Sequence, residues 1–311
     1  MLAQNTLSPK RWLTYKRSIP LYLLLAPAMV YMFIYGYMTF PYIWLAFVKY
    51  NVRESLFGMS FVGLKNFEFF FKSQSAWTVS WNTIKFNLIS IGGGTVLSLA
   101  IAILLNELAS RKFVRFTQSI IIFPYFISWT SVHFMLYNLF GDSTGLINNL
   151  LKTMGMNTVF WYGESHLWTY IISGALLWKS FGMNTVIYLA AIVGVDQEMM
   201  EAGMIDGAGR WQRIIHIMLP AITPTISVLV LMSVGKIFYG DFGMIYALIG
   251  DNGVLYPTTD IVDTYVFRAL RKTGDPSTAM AVSLFQSLIG FATVLASNMA
   301  VKRLYPDGAL F

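Results

Sequence analysis

Cysteine is absent from all 311 residues, and charge is scarce: only 12% of side chains are Asp, Glu, Lys or Arg, about half of what a soluble domain carries. The first absence excludes disulfides, thiolate zinc sites and thiol catalysis. The second, with 56% hydrophobic residues and a mean hydropathy of +0.58, excludes a water-soluble globule and fits a chain whose mass lies mostly in lipid. Histidine is rare too. His133, His166 and His216 stand apart and none sits in H-E-x-x-H, so no metal site is expected. A G-x-x-x-x-G-K-[ST] phosphate loop is also missing, because Gly235-Lys236 lacks the upstream glycine and is followed by Ile237. No cofactor is expected on this chain, and any energy source must come from a partner.

What is present is long apolar runs. A helix crosses a bilayer with roughly 20 apolar residues. Six runs reach that length, at about 21–43, 80–105, 118–140, 168–193, 222–249 and 279–301. The fold class is therefore all-α integral membrane. Pro27, Pro124 and Pro224 fall within or at the start of runs, where neighbouring helices can satisfy the freed carbonyls. The first run is long and has no small-x-small cleavage site, so it reads as a retained span. Gly92-Gly93-Gly94, continued by Ser98 and Ala102, reads as a close-packing face.

Lysine and arginine set the orientation. One side carries Lys10, Arg11, Lys16, Arg17, Arg111, Lys112, Arg115, Arg210, Arg213, Lys302 and Arg303. The eight cations of the other side are matched by eight acids. The first side is expected to be cytoplasmic, with both termini on it. The net charge of +7 is thus an orientation signal, and no nucleic-acid partner is expected. The chain divides into a basic N-terminal segment (1–20), a first span (21–43), an external interfacial segment (44–79), a core of spans two to six (80–301) and a short tail (302–311). The external segment is rich in aromatics, among them Phe57, Phe61, Phe67, Phe69, Phe70, Phe71 and Trp77. Two readings stand for it: an aromatic belt at the headgroups, or a docking platform for an external partner.

Between spans four and five lies a charged loop, EAGMIDGAGRWQRIIHIMLPAITP from Glu201 to Pro224. Asp196 is placed to cap a helix over 197–206, which Gly207 and Gly209 end. Residues 210–218 form a second short helix that Pro220 stops. Met199, Met200, Met204 and Ile205 give the first helix an apolar stripe that needs a cover.

The order Glu-Ala-Gly, Asp206-Gly207-Ala208 and Ile217-x-Leu219-Pro220 resembles the cytoplasmic loop of permeases of binding-protein-dependent ABC importers. Pro124 to Trp129, Gly240 to Gly243, Thr259 to Arg268 and the ending Ala309-Leu310-Phe311 resemble the oligosaccharide (polysaccharide or aldouronate) branch. The resemblance implies a multi-pass cell-membrane subunit working by alternating access. It implies as partners a second homologous permease, two ATPase subunits that bind ATP and Mg, an extracytoplasmic sugar-binding protein and an oligosaccharide. It makes 196–220 a coupling loop and 197–206 a coupling helix, with Met200, Glu201, Ala202, Gly203, Met204, Asp206, Gly207 and Ala208 as the joint to the ATPase. Gly203 departs from the more usual alanine. A permease for another solute and an ATP-independent secondary transporter stay open as alternatives. The absence of a detectable internal repeat weighs against the latter.

Sugars bind to aromatic faces and planar polar groups. Tyr125, Trp129, Trp178, Asn184, Tyr188, Tyr239 and Asp241 are of these types within spans, and each is weighed against plain core packing. Lys179 and Lys236 lie inside runs, where an ionisable group faces a partner or a water-filled path. With Arg268 they are candidates for holding an acidic sugar, while Lys85, near a helix end, is expected to snorkel.

Overall fold

The computed structural model describes residues 9–304, with side chains from Ser18 onward except those of Phe69 and Leu304. The side chains of Lys10, Arg11, Lys16 and Arg17, and the ending Ala309-Leu310-Phe311, lie outside the described residues. Among the described residues the chain is helical, with one isolated antiparallel bridge between Val48 and Phe61. Five helical runs are long and apolar enough to cross a membrane, and a bent pair supplies a sixth if it counts as one span.

The first run, Ser18–Phe47, joins α1 (Pro9–Tyr35) to a 3₁₀ helix at Tyr37–Phe47. It stands off the bundle and meets it chiefly through the 3₁₀ part, which packs on the last helix. Next comes the short α2 (Lys65–Lys72). The second run joins α3 (Gln74–Leu88) to α4 (Gly94–Asn106) through a wide turn at Ile89–Gly93. Gly93 and Gly94 abut Leu177, whereas a side chain on Gly92 would meet open space. Ser98 and Ala102 are fully buried, and Ser98 Oγ donates to the Phe181 carbonyl at 3.0 Å.

The third run is not the single helix that 118–140 suggests. It is α5 (Arg111–Phe126) and α6 (Trp129–Phe140), bent by 95°. Ser128 is extended and caps α6, its Oγ accepting from the Ser131 N–H at 3.1 Å. Such a cap competes with helix continuation. After α7 (Leu146–Thr153), the fourth run is the unbroken α8 (Ser165–Val193).

The fifth run also departs from expectation: it is Arg210–Val234, not 222–249. After α9 (Gln197–Ile205), α10 (Arg210–Arg213) continues through a wide turn at Ile214–Met218 into α11 (Leu219–Val234). Pro220 therefore does not stop the helix. The wide turn changes the hydrogen-bond register just before the residue that has no N–H to give. Past Val234 the backbone unwinds, and α12 (Phe242–Ile249) is a separate short helix packed on α6. Then come α13 (Tyr256–Thr259), α14 (Val262–Arg271) and the sixth run, α15 (Pro276–Leu304).

Two large cores hold the bundle. One gathers Trp168, Ile172, Val132, Phe86 and the buried face of α12. The other gathers Ala102, Leu105, Tyr188, Leu189 and Ile192 with Ile214, Met218 and Ile222, so the base of the α9–α10 hairpin is part of the packed interior.

Candidate coupling hairpin and path-facing residues

The α9–α10 hairpin is built by local rules. Asp196 caps α9, accepting from the Glu198 N–H at 2.9 Å. Gly207, at φ +80°, reverses the chain, and the Ala208 N–H closes the turn on the Gly203 carbonyl at 2.9 Å. This is the glycine C-cap arrangement, disfavoured for other residues at positive φ. Gln212 Oε1 then accepts from the Gly209 N–H at 2.7 Å and starts α10. Arg210 pairs with Glu107 at 3.1 Å, tying the hairpin to the end of span two.

Met200 and Gly203 face inward. Met200 packs on the second core, and a side chain on Gly203 would press on the Ile217 side chain and lie close to Arg213, so the glycine lets α9 lie against α10. Glu201, Ala202, Met204, Asp206 and Gly207 are exposed, and Ala208 is half-buried. Met199 and Ile205 (85% exposed) extend the outward face. Trp211, 71% exposed on α10, is a large apolar neighbour that the sequence reading did not single out.

Among the path candidates, four come together at the bend of span three. The Lys179 ammonium donates to the carbonyls of Pro124 (3.2 Å), Tyr125 (2.8 Å) and Ile127. It lies over the Trp129 ring at 5.3 Å and the Tyr125 ring at 5.9 Å. Trp129 Nε1 donates to Asp241 Oδ2 at 2.7 Å, and Asp241 Oδ1 caps α12 through the Met244 N–H at 2.8 Å. Breaking a helix in lipid leaves carbonyls that must find donors. An ammonium has three hydrogens, and Lys179 spends all of them on this break. Lys179→Met should remove about 2 kcal/mol or more. The check is a lower unfolding midpoint in detergent; an unchanged midpoint would mean that water serves these carbonyls instead.

The other candidates lie elsewhere. Trp178 is half-buried against the first core, and Tyr188 is buried in the second. Asn184 is half-buried in α8. Tyr239 is partly exposed, its hydroxyl donating to Ser287 Oγ at 3.2 Å, and Lys236 is exposed. Arg268 is engaged within the protein. It forms a two-pronged pair with buried Asp260 and lies over the Tyr256 ring at 4.2 Å. Lys85 does not snorkel either: its ammonium donates to Asn82 Oδ1 and the Thr258 carbonyl, each at 2.9 Å.

Two groups that the sequence reading passed over hold the unwound stretch after α11. Asn87 donates to the carbonyls of Ile237 and Tyr239, each at 3.0 Å, and Gln286 to that of Phe238 at 2.6 Å. Asp263 accepts from the Gly240 N–H at 2.7 Å, with burial pushing its carboxyl above the ordinary range. A side chain on Gly240 would run into Ile261. This interlock gives a physical reason for the segments 240–243 and 259–268 to occur together. The available signal was an amide inside each apolar run.

A bundle of five to six apolar spans, interrupted by a braced polar hairpin and by irregular backbone held by side-chain amides, defines a membrane permease. The chain belongs to the family of binding-protein-dependent transport system inner membrane components, whose model matches residues 94–306. It is 32% identical to Protein LplB of Bacillus subtilis (strain 168) over 293 residues, 94% of this chain and 92% of that one. It is 31% identical to the polygalacturonan/rhamnogalacturonan transport system permease protein YteP of the same organism, over 93% of this chain and 89% of the relative. Its fold matches a chain in the crystal structure of a bacterial ABC transporter involved in the import of the acidic polysaccharide alginate. The TM-score is 0.85 at 28% identity, covering 95% of this chain and 99% of the other. A second match, at TM-score 0.83, is the alginate transporter in complex with an alginate pentasaccharide-bound periplasmic protein.

Proposed function

We propose that this chain is the permease subunit of an ATP-driven importer that carries an oligosaccharide, of acidic type, across the cell membrane by alternating access. The observation that carries this reading is the likeness along almost the whole of both chains to the alginate importer. The polygalacturonan/rhamnogalacturonan relative supports the acidic class. In this reading the chain pairs with a second, homologous permease and receives substrate from an extracytoplasmic binding protein. Two ATPase subunits bind ATP and Mg and do the hydrolysis; the chain itself is not an enzyme. Both termini lie in the cytoplasm, on the hairpin side. The outward face of α9, with Glu201, Met204 and Ile205, seats on an ATPase, and the Arg210–Glu107 pair carries its movement to span two.

The test is affinity purification of the chain from mild detergent, with mass spectrometry and ATPase assay. A second permease and an ATPase should co-purify. Recovery of a lone chain that still moves solute down a gradient would refute the importer reading. The coupling role has its own check. A valine at 207 meets no steric obstacle but must adopt a left-handed backbone, at a cost of about 1–2 kcal/mol. Gly207→Val and Glu201→Lys should stop uptake while the chain remains in the membrane, whereas Gly207→Asn keeps most activity because asparagine tolerates positive φ. Wild-type uptake by both damaging variants would sink the assignment.

A further inference from the structure

Lys85, Lys179 and Lys236 lie in or at the ends of spans, and the structure treats them differently. Lys85 is satisfied by Asn82 and the Thr258 carbonyl. Lys179 is saturated by three carbonyls at the bend. Lys236 is exposed, and its ammonium has no hydrogen-bond or ion-pair partner among the described residues. It stands one residue into the unwound stretch 235–241. Irregular backbone at the end of a span is tolerated where protein buries it or where it lines water. Here Asn87, Gln286 and Asp263 hold its inner side. Lys236 and, three residues on, Tyr239 are both exposed; the Tyr239 ring rests on Gly290 of α15 and its hydroxyl donates to Ser287.

An unpaired ammonium at such a place needs an anion or water around it. Two cations at the end of α14 are paired within the chain, Arg268 with Asp260 and Lys272 with Asp251 at 2.8 Å. The nearby carboxylates are also engaged, Asp241 by Trp129 and the α12 backbone, Asp263 by Gly240 and Gln286. Among the described residues no carboxylate forms an ion pair with Lys236. We infer that Lys236 is the residue of this chain that receives the carboxylate of a uronic-acid unit as it passes the unwound turn of span five, with the Tyr239 ring beside it for the sugar's apolar face. A carboxylate is the complement of a compact, rotatable ammonium, and an aromatic face covers the C–H side of a pyranose. The inference rests on the proposed oligosaccharide importer and specifies how its acidic substrate is recognised.

The absence of cysteine gives a direct test. The complete importer is reconstituted in proteoliposomes with its binding protein, and uptake of a uronic-acid oligosaccharide is measured for wild type, Lys236→Arg, Lys236→Gln and Lys236→Cys. Lys236→Arg should keep most uptake, and the Gln and Cys variants should lose at least roughly tenfold, the scale of one charge-assisted hydrogen bond. Treating Lys236→Cys with 2-aminoethyl methanethiosulfonate, which restores a cation, should recover uptake; methyl methanethiosulfonate, which does not, should leave it low. The oligosaccharide should also slow the modification. Wild-type uptake by Lys236→Gln, or equal effects of the two reagents, would overturn the assignment. So would loss of uptake in all three variants including Lys236→Arg, which would point to a packing role or to pairing with the second permease. If the wild-type importer moves no oligosaccharide at all, the functional reading fails first, and that control shows it separately.

Discussion

Gly182→Ala is expected to leave little folded permease in the membrane and no uptake. A methyl group on Gly182 would sit 1.8 Å from the Ile121 carbonyl oxygen, 2.6 Å from its carbonyl carbon and 3.0 Å from the Ile122 Cα. All three are backbone atoms of α5, so no side chain can swing aside, and the whole helix must retreat from α8. Overpacking of this kind costs about 1–3 kcal/mol and more where backbone has to move. The retreat also pulls the carbonyls of Pro124, Tyr125 and Ile127 away from Lys179, which sits three residues before Gly182 on the same helix. Steric and polar losses therefore fall on one joint. Size-exclusion of a fluorescent fusion reads the folded yield, and proteoliposome uptake reads function. Wild-type values for both would mean that α5 and α8 do not approach so closely.

Arg268→Met should destabilise the permease by a comparable or larger amount, for an electrostatic reason. The Asp260 side chain is 7% exposed and that of Arg268 18%, so the pair is shielded from water. Asp260 keeps only the Thr264 hydroxyl, at 2.6 Å, when the guanidinium is removed. An uncompensated buried carboxylate costs about 3–5 kcal/mol. The damage should spread, because the Asp260 backbone carbonyl also accepts from Asn82 at 3.0 Å and thereby ties α14 to span two. Adding Asp260→Asn to Arg268→Met should recover much of the loss, since it removes the orphaned charge. The measurement is the unfolding midpoint in detergent across the double-mutant cycle. Equal midpoints for wild type and Arg268→Met would show that solvent screens the pair.

Much of the architecture was legible because lipid imposes a simple rule: backbone polar groups must be satisfied within the span. Runs at 80–105, 168–193 and 279–301 therefore correspond closely to the helices Gln74–Asn106, Ser165–Val193 and Pro276–Leu304. The hairpin between spans four and five was legible for the opposite reason, since Asp196 and Gly207 are local signals that need no distant partner. The misjudged places are those where distant residues substitute for helix hydrogen bonds. The bend after Phe126 depends on Lys179, 52 residues beyond Ile127, and the unwound turn after Val234 depends on Asn87, 150 residues before Ile237. Pro220 misled because a wide turn at Ile214–Met218, buried in the second core, carries the helix through it.

By itself the sequence determined that this is a multi-span membrane protein with a polar hairpin between two spans. Apolar length and short-range caps decide those matters. Only the tertiary structure decided which charged and aromatic residues are committed to holding the bundle and which remain free. Lys179 and Arg268 look as available as Lys236 when read along the chain. Their difference lies in carbonyls and carboxylates supplied from other parts of the fold, and a group's desolvation is offset by whatever the fold brings to it.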